Sequence, residues 1–215
     1  MQKAEYRYYE ISQDMPVLVL TGEKWETVYG MDNMHFHNYL EIGYCHYGKG
    51  TVQLAERELT YDAGTITFIS RNIPHRTCPD PEKADEKQKW EYLFVDSDTI
   101  LKKCFADAPE KYTKLKKDLE QKVFVLDQKS NKRAVELMQM IIEEEQCKRS
   151  NYKYAILTFG LNLLLFFDRL DQKETEEKPL SDTMDYIRKL INYMELHYME
   201  NIMAKDLAKS CELSE

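Results

Sequence analysis

Apolar and polar positions recur with a short period in the first half of the chain and a long one in the second. In the first half, apolar or aromatic runs at Val17–Leu20, Leu40–Tyr47, 51–54, Thr65–Ile69 and 90–95 predict strands. Turn residues separate them. Gly48-Lys49-Gly50 predicts a hairpin, and 55–58 and Asp62-Ala63-Gly64 predict further turns. Short strands at this spacing predict a barrel or sandwich. Residues 78–89 are charged and contain Pro79 and Pro81, so an exposed loop beside the barrel mouth is expected.

After Asp96 the period lengthens. Residues 98–105 and 109–121 predict short helices, and 123–126 a brief extended piece. From Asn131, the positions Ala134, Leu137, Met138, Ile141 and Ile142 follow one helical face, and the acidic 143–145 are expected to end that helix. Residues 152–170 are apolar nearly all round, and such a helix must be covered on more than one side. The barrel can cover one side and a second subunit is expected on the other, with Leu137, Met138, Ile141, Leu163, Leu164 and Phe167 as the seam of a homodimer; intrachain core is the alternative.

The stretch 171–178, DQKETEEK, followed by Pro179, predicts a charged linker. A new helix follows, capped by Ser181 or Asp182, with Met184, Ile187, Leu190, Ile191 and Met194 as its apolar stripe. A shorter helix is expected from Met203, with Ile202 and Leu207 as a hydrophobic staple and Asp206 at its third position. Residues 211–213 predict a turn, and Ser214 stands where it could cap one more helix.

Composition narrows the function classes. With 43% hydrophobic and 12% aromatic residues, the 215-residue chain can build a real core. A net charge of -8 argues against nucleic-acid binding by bulk electrostatics. Five cysteines without C-x-x-C spacing predict free thiols in a reducing cytoplasm. The N-terminus has no apolar signal core, and the most apolar run, 155–167, is too short and too interrupted to span a bilayer, so no membrane partner is expected. The lysines between 102 and 122 interleave with acids and predict a solvated face.

The candidate chemistry sits at His35, His37, Glu41 and His75. Positions i, i+2 and i+6 share one strand face, so His35, His37 and Glu41 point together. His75 follows a second strand and a turn. Convergence of the four inside a barrel would make a pocket of three imidazoles and one carboxylate. That donor set suits a divalent metal such as zinc, nickel or iron(II), and equally suits hydrogen bonds to an organic effector; the residues leave both open. Trp90, Tyr92 and Phe94 share one parity on a later strand: they form either a stacking platform for the same ligand, with Trp90 and Tyr92 as its binding residues, or ordinary aromatic core. Gly43, Cys45 and Tyr47 continue the parity of Glu41, and His46 has the opposite one.

These residues also carry a resemblance. Gly30-x4-His35-x-His37-x3-Glu41-x6-Gly48 is similar to the first cupin motif, one residue short in its first gap, and Gly64-x5-Ser70-x-Asn72-x2-His75 to the second. Ser70 stands where proline is usual, Asn72 where glycine is usual, and Pro79 where an asparagine often follows. The tail from Tyr186 to Ser214 resembles the start of an AraC-type DNA-binding domain, with Met203 in place of the usual Ser or Thr cap and with the groove-reading helix expected to begin at Ser214.

The resemblance implies a mainly β, cupin-like barrel (a double-stranded β-helix) followed by helices, α+β overall. It implies a sensory and dimerisation region over 1–170, a linker over 171–180 and a truncated helix-turn-helix start over 181–215. It further implies a cytoplasmic transcription regulator that binds a sugar or related metabolite in the barrel. The full-length protein, not this stretch alone, would bind DNA. A metal-dependent cupin isomerase or dioxygenase is the alternative, and a carbohydrate-binding or dimerisation module without regulation a third.

Overall fold

The computed structural model describes residues 4–27, 33–54, 57–83, 86–170 and 182–211. The chain divides into two compact units, Met1–Lys178 and Pro179–Glu215. The predicted linker over 171–180, Ser181, the side chain of Met184, and Ser214 lie outside the described residues.

In chain order the strands of the first unit are β1 (Glu5–Arg7), β2 (Val17–Leu20), β3 (Glu26–Thr27), β4 (His35–His37), β5 (Leu40–Tyr47), β6 (Gly50–Leu54), β7 (Arg57–Tyr61), β8 (Thr65–Ile69), β9 (His75–Pro79), β10 (Gln88–Val95) and β11 (Val123–Asp127). They form two sheets, ordered β1-β4-β9-β6-β7 and β11-β8-β5-β10-β2, with β3 added beside β10. Neighbours run antiparallel except β1 and β4, which are parallel. This is a cupin-like β sandwich followed by helices, α+β.

Several local readings change. Gly48-Lys49-Gly50 is not a hairpin, because β5 belongs to one sheet and β6 to the other. Gly48, at φ 110°, turns a corner between the sheets. The hairpin is β6–β7, in register from Gly50↔Tyr61 to Leu54↔Arg57, so Arg57 and Glu58 are strand residues rather than turn. The expected loop at 78–89 is shorter, since β9 runs through Pro79 and β10 begins at Gln88.

Alternation along the central strands sets the two sides of the second sheet. Ile42 of β5, Ile66 and Phe68 of β8, and Leu93 of β10 are at most 0% exposed and join one apolar cluster with the helices. The intervening positions face the other sheet. Removing this much apolar surface from water is the main stabilising term, about 25 cal/mol per Å².

The helices are α1 (Ser97–Cys104), α2 (Pro109–Leu119), α3 (Lys132–Cys147) and α4 (Tyr152–Arg169). Asp96 caps α1, its Oδ1 accepting the Thr99 N–H at 3.0 Å, and Pro109 opens α2 where no N–H is needed. Helix α3 continues past the acidic 143–145 and stops at Lys148, which adopts the left-handed conformation at φ 47°.

The six residues expected to form a dimer seam are core instead. Leu137, Met138, Ile141, Leu163, Leu164 and Phe167 are all 3% exposed or less within one chain. Phe167 packs on Phe68 of β8 with ring centroids 4.4 Å apart. The apolar back of the second sheet covers the face that the sequence seemed to leave for a partner.

The second unit holds α5 (Asp182–His197) and α6 (Ala204–Ser210). Met203 makes no side-chain cap, but its N–H donates to Asp206 Oδ2 at 3.0 Å, half of a capping box. Cys211 ties the end of α6 to α5 through a contact of Sγ with the Tyr186 carbonyl at 3.6 Å. Ile187 and Met194 are 36% and 41% exposed, so the predicted stripe of α5 is not sealed among the described residues.

Candidate functional site

His35 and His37 lie on β4 and Glu41 on β5, so the predicted single strand is two. Their parity survives the break at 38–39. His75 opens β9 and sits opposite His35 in register. Three imidazoles therefore come from one sheet and the carboxylate from the other. All four residues are 5% exposed or less, and one ligand atom from each lies within 4.8 Å of the others.

The ring orientations follow from the backbone. His35 Nδ1 lies 2.8 Å from the Asn33 carbonyl, His37 Nδ1 2.6 Å from that of Tyr39, and His75 Nδ1 2.8 Å from that of Ile73. A carbonyl only accepts, so each Nδ1 carries the proton. His37 Nε2 is 3.2 Å from Glu41 Oε2, and His75 Nε2 is 3.5 Å from Glu41 Oε1. Burial pushes the Glu41 carboxyl up, but the nearby His75 and the bonds from His37 and His75 outweigh it and hold Glu41 well below the usual range. A buried carboxylate facing imidazole nitrogens needs positive charge between them, supplied by an added proton or by a cation.

The donor set fits a divalent transition metal. Bonds of about 2.1 Å in a tetrahedral sphere put ligand atoms about 3.4 Å apart, close to the spacing around Glu41. The three Nδ1–carbonyl bonds are the outer contacts that fix imidazole ligands in one orientation.

The candidate aromatics separate. In the β10–β5 register Phe94 faces Glu41, Tyr92 faces Gly43, and Trp90 faces Cys45. Four residues of strand place Trp90 about 13 Å from the level of Glu41. Trp90 and Tyr92 stack with centroids 5.8 Å apart, farther along the interior than the cluster. Gly43 makes room for Tyr92: a Cβ there would stand 2.6 Å from Thr67 Oγ1 and 3.1 Å from the Tyr92 ring. Beyond it, the Tyr61 hydroxyl and, at 3.4 Å, the Trp90 indole N–H both bond Gln88 Oε1. Cys45 is buried core; burial, then the charge of Asp62, pushes its thiol up to about 12. His46 lies outside and pairs with Glu91 at 2.7 Å.

Phe94, one of the three alternating aromatics, and Tyr9, which the sequence did not suggest, border the cluster. The Phe94 ring meets His37 edge-on at 4.8 Å, and Tyr9 stacks on Phe94 at 4.1 Å. Asn38 pins Tyr9 by bonding both its N–H and its carbonyl at 3.0 Å. Phe94 shares the parity of Trp90 and Tyr92 and was legible with them; nothing local marks Tyr9.

A groove of about 830 Å³ lies elsewhere, lined by residues of β6, β7, β9 and β11 such as Gln53, Thr60, Arg76 and Asp127. It does not include the cluster. Its walls are ion-paired or hydrogen-bonded among themselves, as in Lys49–Asp80 at 2.8 Å and Arg76–Gln53 at 2.6 Å. The buried convergence of four donors is the stronger sign of a site.

A cupin-like sandwich with a polar cluster inside is a ligand-binding fold. Residues 18–110, which span all four cluster residues, match the family described as AraC-like ligand binding domain. No curated protein matches the chain. Among solved structures, the chain is similar to unsaturated fatty acid bound wild-type ToxT from Vibrio cholerae strain SCE256. The TM-score is 0.54 at 11% identity, covering 92% of this chain and 69% of that one. ToxT from Vibrio cholerae O395 gives a TM-score of 0.52 at 12% identity, covering 95% and 72%. At such identity the likeness shows the fold alone. Among the described residues, no helix is long and apolar enough to cross a membrane.

Proposed function

We propose that residues 1–170 are the sensory region of a cytoplasmic AraC-type transcription regulator, and that its effector is a small polar metabolite held at His35, His37, Glu41 and His75. One observation carries this reading: the four side chains converge from both sheets, buried, with their ring orientations set by backbone carbonyls. A divalent zinc-type ion bound by these four would anchor an oxygen-bearing effector by direct coordination. Phe94 and Tyr9 supply an apolar wall beside the cluster.

One similar structure is of ToxT with an unsaturated fatty acid bound. Imidazoles and a carboxylate in this interior favour a ligand with several oxygens, such as a sugar or related metabolite. Residues 171–180 serve as the linker, and α5 and α6 begin the helix-turn-helix domain through which the full-length protein, as a homodimer, meets two half-sites. Effector binding shifts the regulator only by its difference in affinity between the two arrangements. No covalent chemistry is needed.

The test is a thermal-melt screen of sugars and related polar metabolites, with zinc present or chelated. A true effector at about a hundredfold its Kd should raise Tm by on the order of 5–10 °C. The shift should vanish in Glu41→Gln. A shift that persists in Glu41→Gln and His75→Ala would place the effector elsewhere.

A further inference from the structure

We infer that Ser70, Lys122 and the last carbonyls of α4 form a mechanical link between the four-residue cluster and Leu170, the C-terminal cap residue of α4. This rests on the cluster being the sensory site.

The segment from Ser70 to His75 joins β8 to β9. It is bonded to the cluster at two points: the Asn72 N–H donates to the His37 carbonyl at 2.9 Å, and the Ile73 carbonyl accepts from His75 Nδ1 at 2.8 Å. Asn72 holds φ at 60°, which asparagine tolerates better than most residues. These bonds tie the segment to two of the four cluster residues.

Ser70 stands where the cupin pattern has proline, and the structure gives its hydroxyl a use. Only 1% exposed, it lies 2.6 Å from the Leu119 carbonyl and 2.7 Å from the Lys122 carbonyl. A hydroxyl has one proton for two acceptors, so a small displacement of Ser70 changes which carbonyl it favours.

Lys122 breaks the expectation of a solvated lysine face. Its side chain is 12% exposed. Its ammonium contacts the carbonyls of Phe167 at 3.1 Å, Asp168, and Leu170 at 3.3 Å. A cation on the final carbonyls holds a helix end in place. A change at His37 or His75 therefore reaches the end of α4 through one turn, one hydroxyl and one ammonium.

The test needs no ligand. Glu41→Gln perturbs the cluster, and amide hydrogen exchange is followed at 167–170 in the whole chain, with α3 as the control for global change. The link predicts that Glu41→Gln alters exchange at 167–170 by about fivefold or more. It predicts that Ser70→Ala removes this response while the Lys122 cap keeps basal exchange slow, and that Lys122→Met removes both. Unchanged exchange at 167–170 in Glu41→Gln, or a response that persists in Ser70→Ala, overturns the link. Failure of the cluster to bind metal or metabolite would instead sink the sensory reading, through a separate measurement.

Discussion

The His37 Nδ1–H donates to the Tyr39 carbonyl at 2.6 Å and so turns Nε2 toward Glu41, 3.2 Å away. Backbone and site are thus one construction: the break between β4 and β5 supplies the carbonyl that aims the ring. His35 and His75 are aimed the same way by carbonyls two residues before them.

Acid should act through Glu41. Its carboxyl is held well below the ordinary 4.5 in the folded chain, so the stability it contributes is present above 4.5 and lost as pH falls toward the folded value. Melting curves of the wild-type chain should fall more steeply below pH 4.5 than those of Glu41→Gln. Parallel profiles would show that the carboxylate gains nothing from its neighbours.

Leu137→Ala and Phe167→Ala should each destabilise the first unit by about 2–5 kcal/mol, because both positions are core. Denaturant unfolding measures this, and light scattering should find the oligomeric state unchanged. A lost dimer with unchanged chain stability would restore the seam at these residues.

Gly43→Ala should destabilise by about 1–3 kcal/mol, since the new methyl meets Thr67 Oγ1 at 2.6 Å and the Tyr92 ring at 3.1 Å. Denaturant unfolding should show the loss, and near-ultraviolet circular dichroism should report a moved Tyr92. An unperturbed spectrum with unchanged stability would mean the strand has slack there.

Met203→Ser should stabilise the second unit by about 1 kcal/mol, because Met203 is extended at φ -107° and ψ 157° with no side-chain cap. Exchange at the first amides of α6 should slow. Unchanged protection would show that the Asp206 half of the box already suffices.

Much of this was legible in the chain. The parity of His35, His37 and Glu41 survives a strand break because the two intervening residues keep the period of two. Helices α3 and α4 show in their spacing. Sheet membership did not show: Gly48 allows a hairpin or a corner equally, and local sequence does not say which sheet receives the next strand. The seam was misplaced because the sequence does not show how much of α3 and α4 the strands can cover. Ile42, Phe68 and Leu93 offer an apolar face that α3 and α4 cover. Lys122 looked like its solvated neighbours because its partners, the carbonyls at 167–170, are backbone groups that no side chain announces.

Zinc binding measured by metal analysis and titration tests the central claim most directly. The account predicts about one ion per wild-type chain, and loss of binding in His75→Ala and Glu41→Gln. Wild-type protein that takes up no zinc above background, or variants that bind it equally well, would contradict the reading of these four side chains as one metal-competent site.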